Sequence, residues 1–339
     1  MGVDQQAGHP AVEAQGLVKR FGDLAAVDGI DLRVEVGEVY GLLGPNGAGK
    51  TTFLRMLFGL IRPDAGTLRV FGRTWAEAGP RALDGVAGFV ESPRFYPYLS
   101  GRANLRLLAG LDATGRAEAD ALVAEALARV DLDGRERDKV GGYSFGMRQR
   151  LGVAAALIRR PALLVLDEPA NGLDPAGIRD MRALVKKLAA DGLTVLLSSH
   201  DMDEVEEICD NVTIMRSGQV AYHGSIDQLC AQAPDPAYRL TTTDDTAAVQ
   251  VARSVAGVSV SGADDHAGGG QTGLRVDAAE AAMDSFAIAL GRAGIAVRSL
   301  TLEVAGLESL FFRLTETGSG AFSPAPIVLT ESAPAGASR

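Results

Sequence analysis

Gly44-Pro45-Asn46-Gly47-Ala48-Gly49-Lys50-Thr51 follows a short apolar run, Val39-Tyr40-Gly41-Leu42-Leu43, and leads into Thr52-Phe53-Leu54-Arg55-Met56-Leu57, a context of strand, tight loop and helix. Glycines at 44, 47 and 49 let the backbone take positive φ and turn successive N–H groups into one concavity at the positive end of a helix. An anion fits there. Lys50 adds a full charge that can reach outer phosphates, and Thr51 sets a hydroxyl where Mg²⁺ needs an oxygen ligand. The plainer alternative, a glycine-rich turn that happens to end in Lys-Thr, leaves the strand before and the helix after without a reason. The stretch reads as a nucleoside triphosphate site, and by itself does not say which reaction is driven.

Upstream, apolar and polar residues alternate from Val12 to Val36, as in short antiparallel strands, with Lys19-Arg20-Phe21-Gly22 as a turn between two of them. Phe21 could stack on a base, or equally pack on the sheet edge. Downstream, Arg62 to Gly66 is a turn, and strands are expected at Thr67 to Phe71 and Val86 to Val90. The second strand ends in Glu91-Ser92-Pro93, a carboxylate at a strand tip. From Ser100 to about Arg160 the period becomes helical, with Leu122, Val123, Ala126, Leu127 and Val130 on one face. This helical insertion, taken as about residues 95–160, closes with Gly141-Gly142-Tyr143-Ser144-Phe145-Gly146-Met147 and a second helix running to Ile158.

Pro161 stops that helix, and Leu163-Leu164-Val165-Leu166 is an uninterrupted apolar run of the kind a central, doubly covered strand needs. Asp167 and Glu168 stand at its carboxyl end, where ligands bind in open α/β sheets. A helix from Asp180 to Ala190, a strand from Thr194 to Ser198 and a helix from Asp201 to Cys209 continue the alternation, with His200 at the strand end. Val212 to Arg216 and Gln219 to Tyr222 read as a closing hairpin.

The 339 residues, 47% of them hydrophobic, suffice for about two domains with sizeable cores. A formal net charge of -10 argues against a duplex-binding surface, so nucleic acid is not an expected partner. Charged residues interrupt every long apolar run, no signal core is seen in Met1 to Ala14, and only Cys209 and Cys230 are present, which together suggest a reduced, cytosolic setting. Both cysteines are read as inert. Residues 1–11 are expected to be flexible, Gln232 to Pro236 to be a linker, and 316–339 to be disordered. Between them, 237–315 shows strand-helix-strand twice, then an amphipathic segment from Leu307 to Leu314. That pattern suggests a small α+β domain of ferredoxin-like type, assigned a regulatory or dimerisation role, without a catalytic constellation.

The ordered set of motifs over about residues 12–230 resembles the ATP-binding-cassette (ABC) ATPases. The loop from Gly44 to Thr51 matches the family's Walker A motif, and Leu163-Leu164-Val165-Leu166-Asp167-Glu168 its Walker B motif. Asn171-Gly172-Leu173-Asp174 looks like the D-loop, His200 like the switch histidine, Phe21 like the adenine-stacking aromatic, and Tyr143 to Met147 like the signature, with Ser144 and Gly146 kept. The resemblance implies an α/β P-loop ATPase core: a mixed sheet with an antiparallel subdomain and a helical insertion, followed here by the small α+β domain.

It also implies roles. Gly44, Pro45, Asn46, Gly47, Ala48, Gly49, Lys50, Thr51 and Thr52 would bind the phosphates of ATP. Thr51 and Asp167, with Glu91 in the position usually held by Gln, would serve Mg²⁺. Glu168 would deprotonate the attacking water, with His200 and Lys50 at the γ-phosphate. Ser144, the amide of Gly146, and Asp174 would face the ATP of a second copy in a head-to-tail dimer. Lacking membrane spans, the chain would work peripherally on the cytoplasmic side of the membrane, docked through Glu91 to Tyr98 and the helical insertion on a separate integral membrane permease.

The sequence departs from the family pattern at Glu91, which cannot donate as an amide can, and at Phe145 and Met147 in the signature. These departures, with Glu91-Ser92-Pro93-Arg94-Phe95-Tyr96-Pro97, resemble the branch exporting bacitracin-type peptides, lantibiotics and other drugs.

Three rival readings fit less well. Gly142 to Gly146 satisfies the G-x-S-x-G elbow of α/β-hydrolases, yet a charged turn, Arg135 to Lys139, precedes it where a buried strand is required. The acidic run His200 to Glu204 could suggest a metal cluster, but Asp and Glu are favoured in a first helical turn. A soluble ABC-type factor acting on ribosomes or DNA would need a second cassette, coiled coils or a basic surface.

Overall fold

The computed structural model describes residues 8–111, 115–132, 134–261 and 273–315. The expected flexible start up to residue 7 and the tail 316–339 lie outside the described residues. The chain divides into two compact units, the second beginning at Asp227.

The first unit opens with Val12–Phe21 (β1) and Leu24–Val34 (β2), followed by Val39–Leu43 (β3), Lys50–Leu57 (α1) and Ala65–Val70 (β4). β1 lies antiparallel between β2 and β4, with register shifts where Gly16 and Gly29 take positive φ. Phe21 is the last residue of β1, paired with Leu24, so Lys19 to Phe21 belong to the strand and the turn is confined to Gly22-Asp23. Gly22 takes that turn at φ 58°. Trp75–Ala78 (α2), not anticipated from periodicity, is a single turn whose Thr74 and Glu77 close a capping box.

Val86–Phe89 (β5) is followed by the helical insertion: Gly101–Ala109 (α3), Arg116–Arg129 (α4) and Phe145–Leu157 (α5). Leu163–Asp167 (β6), Pro175–Ala190 (α6), Thr194–Ser199 (β7), Met202–Ile208 (α7), Asn211–Arg216 (β8) and Gln219–Ser225 (β9) complete the unit. The strands form a sheet in the order β5-β6-β7-β3-β8-β9, parallel except for β9. Every residue of β3, β6 and β7 is buried, as expected for strands covered on both faces. One core joins the sheets through Ile30, Tyr40, Phe53, Val165 and Leu196.

α6 starts at Pro175, five residues before the expected Asp180, because Asp174 caps it and proline suits a first helical position. Asp201 likewise stands outside α7 as its cap.

After Ile226–Cys230 (α8), the second unit holds Ala237–Thr242 (β10), Asp245–Ala252 (α9), Val258–Ser261 (β11), Leu274–Ala278 (β12), Glu280–Arg292 (α10), Val297–Val304 (β13) and Gly306–Thr315 (α11). The four strands pair antiparallel in the order β11-β12-β10-β13. α9 and α10 cover the sheet around Leu240, Ala248, Val276, Phe286 and Leu290, which is the ferredoxin-like alternation.

Gly88 in β5 takes φ 155°, and a Cβ there would lie 1.9 Å from the Val165 carbonyl oxygen on β6. Gly88→Ala should therefore destabilise the first unit by about 2 kcal/mol or more, since neither backbone can yield inside a buried ladder. The check is urea unfolding, with a lowered midpoint at an unchanged slope.

Candidate active site

The loop after β3 is shaped by close backbone approaches. Gly49, the residue before α1, has φ 108°, and a Cβ on it would meet the Ala26 carbonyl oxygen at 2.3 Å. The loop is pinned to its surroundings by Gly44 N–H donating to Ser199 O at 3.2 Å and Gly218 N–H donating to Ala48 O at 3.0 Å. Asn46 and Gly47 form its exposed rim, while Pro45 and Thr52 are half-buried and Ala48 is buried. The first-turn N–H groups of α1 at Lys50, Thr51 and Thr52 precede the helical ladder and face the loop end, the geometry that receives phosphate oxygens.

Lys50 is only 5% exposed. Its Nζ donates to Gly44 O at 2.5 Å and to Pro45 O at 3.4 Å, and lies 3.1 Å from Glu168 Oε1. Glu168 Oε2 is 2.6 Å from His200 Nδ1. Glu168 itself sits at φ 49°, a costly conformation for a side chain of this size. Its N–H holds that conformation by donating to both the hydroxyl and the carbonyl oxygen of Ser198, at 3.0 and 3.2 Å.

Asp167 is 5% exposed and accepts from Ser198 Oγ at 2.5 Å and from Thr51 Oγ1 at 3.1 Å. Asp167 and Ser198 are register partners in the parallel β6–β7 ladder. A carboxylate and a threonine hydroxyl, both oxygen donors and both fixed, form a donor set that fits Mg²⁺. Ser198 was not singled out from the sequence; the signal for it was a polar residue closing an otherwise apolar central strand.

Glu91 differs from expectation. Its carboxylate pairs with the Arg55 guanidinium on α1, and only its N–H reaches Asp167, at 3.4 Å from Oδ2. A neighbouring cation holds the side chain outward, so the carboxylate is not brought to Thr51 and Asp167. Phe21 presents a half-exposed ring with Lys19 Nζ 5.5 Å from its centroid, rather than a ring buried on the sheet edge.

Ser144, Gly146 and Asp174 gather in a second group. Ser144 Oγ caps α5 by accepting from Met147 N–H at 3.2 Å, and Asp174 Oδ1 caps α6 by accepting from Gly177 N–H at 2.8 Å. A Cβ on Gly146 would touch Leu173 at 3.5 Å, which places the segment 171–174 against the start of α5. A 3₁₀ turn at Val140–Gly142, not a strand, precedes Ser144, so the hydrolase elbow is absent there. The acidic run after His200 is a helix start: Asp201 Oδ1 accepts from Asp203 N–H at 2.9 Å and Glu204 N–H at 3.3 Å. Among the described residues no group of three His, Cys, Asp or Glu side chains is placed to hold a metal. Cys209 is buried, and burial pushes its thiol well above the ordinary range. Also among the described residues, no helix is long and apolar enough to cross a membrane.

Residues 27–171 match the family described as ABC transporter. The bacitracin transport ATP-binding protein BcrA of Enterococcus faecalis is 41% identical over 223 residues, 64% of this chain and 70% of the relative. The daunorubicin/doxorubicin resistance ATP-binding protein DrrA of Streptomyces peucetius is 35% identical over 311 residues, 90% of this chain and 92% of the relative. Among solved structures, cbiO1 of Clostridium perfringens, part of the ABC transporter complex cbiONQ, superposes with a TM-score of 0.62 at 26% identity, covering 66% of this chain and 92% of that one. With its phosphate loop, its paired carboxylates and these relatives in agreement, the chain belongs to the ABC transporter family, as an ATP-binding, ATP-hydrolysing subunit.

Proposed function

We propose that this subunit hydrolyses Mg-ATP at the cluster of Lys50, Thr51, Asp167, Glu168 and His200 to power a separate membrane permease. The observation that carries the reading is the convergence of these side chains at the carboxyl ends of β3, β6 and β7, linked by contacts of 2.6 to 3.1 Å. Lys50 and the amides from Gly44 to Thr52 bind the β- and γ-phosphates, with Phe21 offering a ring to the base. Thr51 and Asp167 would hold Mg²⁺, which when bound supplies charge neutralisation at the phosphate oxygens.

Glu168 takes a proton from a water whose oxygen bonds to the γ-phosphorus, while the bond from that phosphorus to the bridging oxygen breaks and ADP leaves with the electron pair. His200, bonded to Glu168, orients it and meets the γ-phosphate. Ser144 and the amide of Gly146, at the N-terminus of α5, form a second anion site facing the nucleotide of another copy, with Asp174 beside it. Two copies would therefore sandwich two ATP molecules.

The permease contact is assigned to Glu91 to Tyr98 and the helical insertion, where Tyr96, Tyr98, Leu107 and Leu111 are exposed. That docking would hold the chain on the cytoplasmic side of the membrane. The bacitracin- and daunorubicin-related names of its relatives favour export of drugs or antibiotic peptides, with the second unit regulatory or dimerising.

Glu168→Gln should still bind ATP but lose turnover by about a hundredfold or more, and should accumulate as a nucleotide-bound dimer in size-exclusion chromatography. Unchanged hydrolysis would remove Glu168 from this role. Ser198→Ala should lower stability by about 1–3 kcal/mol, because the buried Asp167 carboxylate loses its shortest donor; chemical denaturation measures it. A chain ending after Gln232 should keep its ATP affinity in a fluorescence titration. For the partner, co-purification with an untagged integral membrane protein is expected, whereas turnover stimulated by ribosomes or DNA would reverse the assignment.

A further inference from the structure

Behind Glu168 lies a buried ionic group that the reaction scheme leaves unused. Glu204, on α7, is 3% exposed. Its Oε2 accepts from Ser199 Oγ at 2.6 Å, and its Oε1 is buried with no partner among the described residues. Ser199 Oγ in turn accepts from Asp201 N–H at 3.0 Å, so Glu204 and Ser199 fasten the backbone on both sides of His200. Arg182, on α6, approaches the same place. Its Nη1 donates to Glu207 Oε2 at 2.8 Å and its Nη2 to Asp201 Oδ2 at 3.5 Å, while its Nε is buried without a partner among the described residues. One buried acceptor and one buried donor are thus left over on neighbouring helices. Glu204, Glu168, His200, Asp201 and Asn171 share the wall of a cavity of about 140 Å³. At roughly 30 Å³ of liquid per water, that space admits a few ordered waters beside the Glu204 carboxyl group.

We propose, on the footing of the hydrolytic role assigned above to Glu168 and His200, that Glu204, bonded to Ser199 and attracted by the Arg182 charge, is a positioning residue for ATP hydrolysis. Its carboxylate fixes the Ser199–Asp201 segment so that His200 meets Glu168. Arg182 ties that segment to α6, the helix that follows residues 171–174. Neither side chain touches the reacting atoms.

Burial pushes the Glu204 carboxyl up to about 7, opposed by the Ser199 bond and the attraction of Arg182 and reinforced by Asp201 and Glu168. The titratable and charged groups facing it are Arg182 from α6, Glu168 from the end of β6, His200 and Asp201 from the segment before α7, and Cys209 from the end of α7. The sign follows directly. Below this value the acid is neutral and its attraction for the Arg182 charge is lost; above it the carboxylate forms and the segment is fixed. Turnover of the wild-type chain should rise through neutral pH with a step that belongs to Glu204.

The test uses the full chain with Mg-ATP. Glu204→Gln keeps the size and the acceptor for Ser199 but removes the charge. The expected result is kcat lower by about tenfold with KM for ATP changed by less than about twofold, the mark of lost positioning rather than lost binding. Its kcat should also lack the rise between about pH 6 and 8. Arg182→Lys, which keeps the charge and loses the fork, should fall in the same way, and the double variant should lose less than the product of the two single losses.

A Glu204→Gln chain with wild-type kcat and wild-type pH profile would overturn the proposal. So would a loss of activity matched by an equal fall in the melting transition and reversed on cooling. If Glu168→Gln itself keeps full turnover, the site assignment underneath fails. A dead Glu168→Gln beside a fully active Glu204→Gln refutes this inference alone.

Discussion

A lysine ammonium hidden to 5% exposure is the constraint around which the first unit is built. Burying such a charge without partners costs several kcal/mol, so Lys50 requires oxygen atoms at fixed positions. Those oxygens come from Gly44 and Pro45 on its own loop and from Glu168 at the end of β6. β3 and β6 are not neighbours; β7 lies between them. The charge is therefore balanced only if three parallel strands hold a common register, in which Asp167 faces Ser198 and Leu43 faces Ser199. The left-handed turn at Glu168 and the two bonds from its N–H to Ser198 are the local means by which that register aims a carboxylate at the ammonium.

The fold was largely readable because its dominant signals are local. The glycine spacing of the phosphate loop, the uninterrupted apolar run before Asp167 and the alternation in 237–304 each depend on neighbours in sequence. Misplaced boundaries had local causes too: Asp174-Pro175 is a cap followed by a helix-starting proline, and the period of α6 merely becomes visible five residues later. What escaped reading were the residues that act across strands and helices. Ser198 matters because of a side chain 31 positions away, and a polar residue closing an apolar strand does not by itself name that partner. Glu204 reads in sequence only as part of an acidic first helical turn and Arg182 carries no motif; Glu204 is buried and Arg182 largely so where α6 and α7 pack together. Glu91 shows the reverse case, a residue whose motif position was legible while its partner, Arg55 on another element, was not.

The two units share a building method and differ in chemistry. Both pack amphipathic helices on a sheet, but only the parallel sheet brings several carboxyl strand ends side by side, which is where its polar side chains converge. The antiparallel sheet of the second unit alternates strand directions, so its ion pairs, Arg239 with Glu303 and Arg275 with Asp277, come from within β10, β12 and β13 rather than from adjoining carboxyl ends. Its legibility as a fold and its silence about function have the same origin.

The strand order β6-β7-β3-β8 also sets a timetable for synthesis. β3 emerges from the ribosome more than 150 residues before β7, the strand that flanks it on one side, and β8 on the other side comes later still. Until both have appeared, the nascent phosphate loop has a strand with no ladder beneath it and a lysine with no carboxylate beside it. Long-range parallel pairing of this kind is slow and exposes apolar edges while it waits. The cassette thus becomes able to grip nucleotide only near the end of its own translation, which leaves its early half dependent on whatever shelters unpaired strands in the cell.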